Sequence, residues 1–242
     1  MSTKMKIIDL FCGAGGFSEG FRQAGFDIIL GVDTWDLALE THKLNIGGDT
    51  LKADVRDLET KDLPTCDVLI GSPPCPDFSI QTHTGGKSKK KKADLSCIEA
   101  FYRIMSELNP KYWIWENVPG VKKYLYFVPY MLLDAQEYGV PQRRKRVFVG
   151  NFPAPEKRII KAPIAPTIIA WELCGGWDGY NTRRFSQWLG RKATSEEMAH
   201  YMGFSPYFKF LGNQKERSFQ IGNAVCPPVA KAIAEAIKKE QK

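Results

Sequence analysis

Residues 6–26, KIIDLFCGAGGFSEGFRQAGF, decide the fold. Lys6 to Leu10 form a short apolar run suited to a buried strand, CGAGG makes a glycine turn, and Phe17, Phe21 and Ala24 return at helical spacing. A second apolar run, DIILGVD at 27–33, closes the unit and ends on Asp33. Strand, glycine loop, helix and strand in that order put the backbone N–H groups of Gly13 and Gly15 at one sheet edge with the Asp33 carboxylate. A nucleotide-like ligand would find partners there for its charged atoms and its ribose hydroxyls. A tight turn that needs glycine only for its backbone angles would read the same way.

Working outward, WDLALETHKLN reads as a helix, LKAD at 51–54 as a weak strand ending on Asp54, and CDVLIGS at 66–72 as a strong strand. Leu95, Ile98, Phe101, Ile104, Met105 and Leu108 form a helical stripe. YWIWENV (112–118) and RVFVGNF (146–152) are two further strands, with MLLDA (131–135) a fainter one. Strands alternating with helices predict an α/β fold whose parallel sheet is covered on both faces. Between Pro73 and Ala93 runs a long polar loop with KSKKKK at 87–92. From 153 to 190 four prolines break the pattern, which predicts a small inserted lobe. A capping box at Thr194 to Glu197 starts a helix, and Pro227-Pro228 opens a last amphipathic one through Ile237. The chain therefore divides into a core (1–150), a small region (151–190) and a C-terminal segment (191–242).

The 242 residues, 43% hydrophobic and 25% charged, are enough for one sizeable core. Thirty-four Lys and Arg against 27 Asp and Glu leave a net charge of +7, which favours polyanionic partners. Six irregularly spaced cysteines without a C-x-x-C pair argue against a disulfide framework and against a zinc site. With no signal peptide and no apolar run long enough to span a bilayer, the expected setting is a reducing cytoplasm.

The chemistry clusters at strand ends. In GSPPCPDFS (71–79), Cys75 follows a buried strand on the side of an open α/β sheet where ligands bind, and prolines restrict its backbone. A nucleophile would be placed so, as would a small buried hydrophobe. Glu116 and Asn117 end the next strand, where they could face the same pocket or, for the glutamate, simply be solvated. In QRRKR, Arg144 and Arg146 are alternate residues expected on one side, suited to hold a phosphate or a carbonyl oxygen or to form a solvated basic patch. Lys89, Lys90, Lys91 and Lys92 suit a solvated loop or a clamp on a nucleic-acid backbone.

Together DLFCGAGGFSEGF, GSPPCPDFS, WENVPG, YGVPQRRKRVFVG and QIGNAVCPPVA, in this order along nearly the whole chain, resemble the C5-cytosine DNA methyltransferase family. The resemblance implies a Rossmann-like S-adenosylmethionine-dependent core with a small inserted target-recognition lobe. It implies Cys75 as nucleophile toward C6 of a flipped cytosine, Glu116 at N3 with Asn117 shaping that pocket, and Arg144 on the base or the adjacent backbone. Phe11, Gly13, Gly15, Asp33, Asp54, Val55, Pro74, Asn223 and Ala224 would line S-adenosylmethionine. Lys89 to Lys92, Arg183 and Arg184 would meet double-stranded DNA, with neither metal nor membrane involved and the protein a monomer. A tRNA cytosine methyltransferase and a silent DNA-binding relative are the alternatives. Departures from the family pattern are Asp33 in place of the usual Glu, Pro76 in place of Gln, a very short recognition region, and a short stretch from Val118 to Tyr138 that puts one helix–strand unit in question.

Overall fold

In the computed structural model, which describes residues 4–74, 93–173 and 184–241, the apolar runs form one seven-stranded sheet. The strands are β1 (Lys6–Leu10), β2 (Asp27–Asp33), β3 (Asp49–Lys52), β4 (Val68–Gly71), β5 (Tyr112–Asn117), β6 (Met131–Asp134) and β7 (Lys145–Gly150). Their order is β3-β2-β1-β4-β5-β7-β6. The chain winds outward in one direction through β1, β2 and β3 and then restarts on the other side of β1. The crevice beyond the carboxyl ends of β1 and β4 is therefore the switch point where such sheets bind ligands.

The expectation of a parallel sheet fails at β7, which runs antiparallel to both β5 and β6. Between Asp134 and Lys145 there is room for one 3-10 turn, Ala135–Glu137, so the chain folds straight back. A parallel neighbour would need a crossover of a dozen residues or more.

Seven helices are described: α1 (Gly16–Gln23), α2 (Asp36–Ile46), α3 (Ser96–Leu108), α4 (Arg184–Leu189), α5 (Ser195–Tyr201), α6 (Gln214–Asn223) and α7 (Pro227–Glu240). Strand alternation divides the core into two layers. Ile7, Ile114 and Phe148 face Phe17, Phe21, Ile221 and Ile233 of α1, α6 and α7. Ile8, Leu69, Trp115 and Val147 face Phe101 and Ile104 of α3. Phe152, Ala165, Ile168 and Leu173, from the stretch after β7, join the first layer.

Two glycines let the C-terminal segment close on the first motif. A Cβ on Gly20 would stand 2.4 Å from Ala230 Cβ, and one on Gly16 would stand 2.4 Å from the Val225 carbonyl oxygen. The strand-loop-helix unit and the GNAV turn are thus held in backbone contact. Helix α6 was not read from the sequence. Its signal was the capping box that Asn213 and Glu216 complete. Its polar composition hid the rest.

The link from β5 to β6 contains a 3-10 turn, Pro119–Tyr124, where a helix would ordinarily cross. Val121 is fully buried in the second layer, with Leu125 and Val128 packed beside it. β6 itself forms, so of the helix–strand unit in question the strand is present and a 3-10 turn stands where the helix was expected.

Candidate active site

The glycine loop leaves β1 through Phe11, whose φ of 57° is left-handed, and continues through Gly13 at 52° and Gly15 at 93°. A side chain on Gly13 would meet nothing within 4 Å, so this face of the loop opens toward the crevice. Asp33 holds the loop: its Oδ2 accepts from Gly13 N at 2.9 Å and its Oδ1 from Trp35 N at 3.0 Å. Each carboxylate oxygen keeps a further acceptor site, which suits a pair of ribose hydroxyls. Trp35 was not singled out in the sequence. It stands half-buried at the same edge, and an aromatic two residues beyond a strand-end acid was the available signal. Val55 is buried at the start of a 3-10 turn. Ala224 lies against Gly16, and Asn223 is exposed at the end of α6. These groups offer a crevice with backbone N–H groups, a carboxylate and apolar walls, of the kind a nucleoside-bearing ligand needs. Asp54, expected among the residues lining the cofactor, forks onto Arg56, which holds its carboxyl down at about 2.

Beneath the loop lies a buried chain of polar groups that the sequence reading missed. Ser18 Oγ donates to Asp9 Oδ2 at 2.6 Å, and His42 Nε2 is 3.1 Å from Ser18 Oγ. The imidazole fills the space left by two glycines, since a Cβ on either Gly15 or Gly31 would come within 2.9 Å of it. Asp9 Oδ1 and His42 Nδ1 are buried and find no hydrogen-bond partner among the described residues. Burial drives the Asp9 carboxyl from 3.8 up to about 7, and burial pulls His42 from 6.5 down to about 4.

The two groups act on stability in opposite senses. Folded Asp9 keeps a proton that the unfolded chain has released, so its contribution falls as pH rises from 3.8 to about 7. Unfolded His42 takes up a proton that the folded ring refuses, so its contribution is lost as pH falls from 6.5 to about 4. Asp9→Asn removes the first effect alone. The variant should gain on the wild type as pH rises through the Asp9 window, by up to about 1.4 kcal/mol per pH unit. Urea midpoints measured across that range test this, and a constant difference would overturn it.

At the neighbouring strand exits, β4 and β5 pair up to Gly71 and Trp115, so one residue further Ser72 comes level with Glu116. Asn117 ties the exit of β4 to β5. Its Nδ2 donates to the Pro73 carbonyl at 3.2 Å, while its Oδ1 accepts from Val118 N at 2.7 Å. Glu116 is buried, with Arg146 Nε 3.0 Å from its Oε1. Burial pushes the Glu116 carboxyl up, and the charges of Arg146 and Arg144 restrain it.

The two arginines have different partners. Arg144 Nη1 donates to the Ile168 carbonyl at 2.8 Å, and its Nη2 donates to those of Gly222 and Ala224 at 2.7 and 3.0 Å. Its guanidinium is thus directed into the junction of α6 and α7, while Arg146 lies on the carboxylate. Removing charged donors from buried carbonyls is costly. Arg144→Met should lower stability by about 3–5 kcal/mol, since hydrogen bonds to charged groups contribute about 1.5–3 kcal/mol each and do not add fully. Cofactor affinity should fall with it, because Asn223 and Ala224 lose their anchor. Denaturant titration and calorimetry of cofactor binding measure both, and a variant as stable as the wild type would refute this role.

Cys75, Lys89, Lys90, Lys91, Lys92 and Arg183 lie outside the described residues. Pro74, the last residue described before Cys75, is exposed, and Arg184 is exposed at the start of α4. The described cysteines are poor nucleophiles. Burial raises Cys12 and Cys97, pushes Cys66 up to about 12 and Cys226 up to about 11. Among the described residues no cluster suits a metal ion, and no helix is long and apolar enough to cross a membrane.

A family model described as C-5 cytosine-specific DNA methylase matches residues 5–124, 121–167 and 176–239. The type II methyltransferase M.AplI of Arthrospira platensis is 26% identical over 98% of this chain and 87% of its own length. M.FnuDI of Fusobacterium nucleatum is 33% identical over 61% of this chain, which spans only 47% of that relative. Among solved structures, the S. pombe Dnmt2 methyltransferase superposes with a TM-score of 0.71 at 17% identity, over 99% of this chain and 100% of its own. At that identity the likeness concerns the fold.

Proposed function

Since the chain belongs to the C-5 cytosine-specific DNA methylase family, we propose that it transfers a methyl group from S-adenosylmethionine to C5 of a cytosine flipped out of duplex DNA, by way of a covalent bond to Cys75. The observation that carries this reading is the buried Glu116, paired with Arg146 and set level with the exit of β4 toward Cys75.

C5 of cytosine is a weak nucleophile. Addition of the Cys75 thiolate at C6, with the proton at N3 held by Glu116, converts the ring to an enamine whose electrons are available at C5. S-adenosylmethionine supplies an electrophilic methyl group. Phe11, Gly13, Asp33, Val55 and Ala224 would hold it in the crevice. Arg146 orients the Glu116 carboxyl, and Asn117 fixes the Pro73 carbonyl from which the Cys75 segment departs. Loss of the C5 proton to a base and expulsion of Cys75 restore the aromatic ring. The target carbons are stacked inside a duplex, so the base must be extruded to reach these groups.

Labelled S-adenosylmethionine offered with duplex DNA or with tRNA tests the substrate. The reading expects label in DNA. Label confined to tRNA would favour the RNA-modifying alternative, and label in neither would favour a silent DNA-binding relative.

A further inference from the structure

The shortened link between β5 and β6 leaves a surface that the catalytic scheme does not use. Its inward side is apolar and buried through Val121, while its outward side presents Lys122, Lys123, Tyr126, Phe127 and Tyr130, followed by Leu132 on edge strand β6. Tyr126 is 77% exposed and Phe127 is fully exposed, the latter on a left-handed backbone with φ 63° that bulky residues rarely adopt. The sheet register places this surface next to the site. Glu116 and Met131 both pair with Phe148, and Asn117 and Leu132 both pair with Val147. The loop therefore leaves β5 just past Glu116 and ends on β6 level with it, two strand spacings, about 10 Å, to the side.

Resting on the DNA-methyltransferase reading, we infer that this surface grips the substrate strand beside the flipped base, with Lys122 and Lys123 on phosphates and Tyr126, Phe127 and Tyr130 against unstacked bases and sugars. Lysine interleaved with exposed aromatics is the composition that holds a nucleic-acid strand without reading its sequence. The net charge of +7 and the continuity with Glu116 through β5 point to the same occupant. A second copy of the chain fits less well, because a two-fold pairing of the patch would bring its lysines toward each other.

The test compares wild type, Lys122→Ala/Lys123→Ala and Tyr126→Ala/Phe127→Ala in binding duplex DNA whose target cytosine is mispaired and so already unstacked. All four substituted side chains are exposed, and unchanged binding of S-adenosylhomocysteine would report an intact fold. The lysine variant should show a log K against log salt slope shallower by about 1.8, at roughly 0.9 for each lost phosphate contact. The aromatic variant should keep the wild-type slope and bind about 10-fold or more weakly, as expected for one lost stacking contact. Wild-type affinity and slope in both variants would overturn the surface alone. So would a wild-type dimer that the aromatic substitutions dissociate without changing DNA affinity. A wild type that neither binds nor labels DNA would bring down the substrate reading, and this inference with it.

Discussion

Cys75→Ser should abolish methyl transfer to duplex DNA, with a loss of at least about 10⁴-fold, as expected when a covalent nucleophile is removed from a site that acts as a unit. A serine hydroxyl is not appreciably ionised at neutral pH, whereas a thiol with an ordinary pKa already supplies a few per cent of thiolate. S-adenosylhomocysteine binding should persist, because the groups proposed to hold the cofactor sit mainly on the glycine loop, Asp33 and the GNAV turn and do not include the Cys75 thiol. The four described cysteines give the internal control. Their thiols are all raised by burial, so alanine at Cys66 or Cys97 should leave turnover near the wild-type value. A duplex with 5-fluorocytosine at the target should trap the wild type covalently, since fluorine does not leave C5 as a proton does, and the serine variant should form no adduct. Substantial turnover by Cys75→Ser, or an adduct from it, would falsify the covalent scheme.

Glu116→Gln should cost about 10²–10⁴-fold in the single-turnover rate, the range for a group that handles a proton in the transition state. Glutamine preserves shape and burial but does not hand a proton to N3. Because burial raises the Glu116 carboxyl, the protonated form persists to higher pH than an exposed glutamate would allow. The wild-type rate should therefore fall as pH rises through that raised pKa, and the Gln variant should lose this limb. Affinity for S-adenosylhomocysteine should change little, since Glu116 belongs to the β5 edge and Asp33 to the β2 edge. A loss smaller than about tenfold with an unchanged pH profile would show that Glu116 only shapes the pocket.

Effects at Arg144 and Arg146 should separate in the same way. Loss of Arg144 should appear first as instability, and loss of Arg146 first as an altered pH profile. The difference lies in what each guanidinium touches: three main-chain carbonyls for one, the buried Glu116 carboxylate for the other.

The sequence by itself determined the strand-loop-helix opening, the strand-end positions of Asp33, Glu116 and Asn117, and the proline-opened last helix. Each of these is encoded locally, in apolar periodicity, glycine at positive φ, or a cap within four residues. Tertiary structure alone decided the rest. The short link between β6 and β7 already excluded a parallel pair, but that β7 inserts between β5 and β6 was decided by strand pairing, since an isolated apolar run carries no address in the sheet. Arg144 and Arg146 are two residues apart and chemically alike, so only carbonyls brought from 24 to 80 residues away tell them apart. The polar chain from Asp9 through Ser18 to His42 likewise joins β1, α1 and α2 in space. From the sequence, Asp9 was an acid inside a buried strand and His42 a histidine in a helix. Their partners exist only once the glycine loop has closed over them.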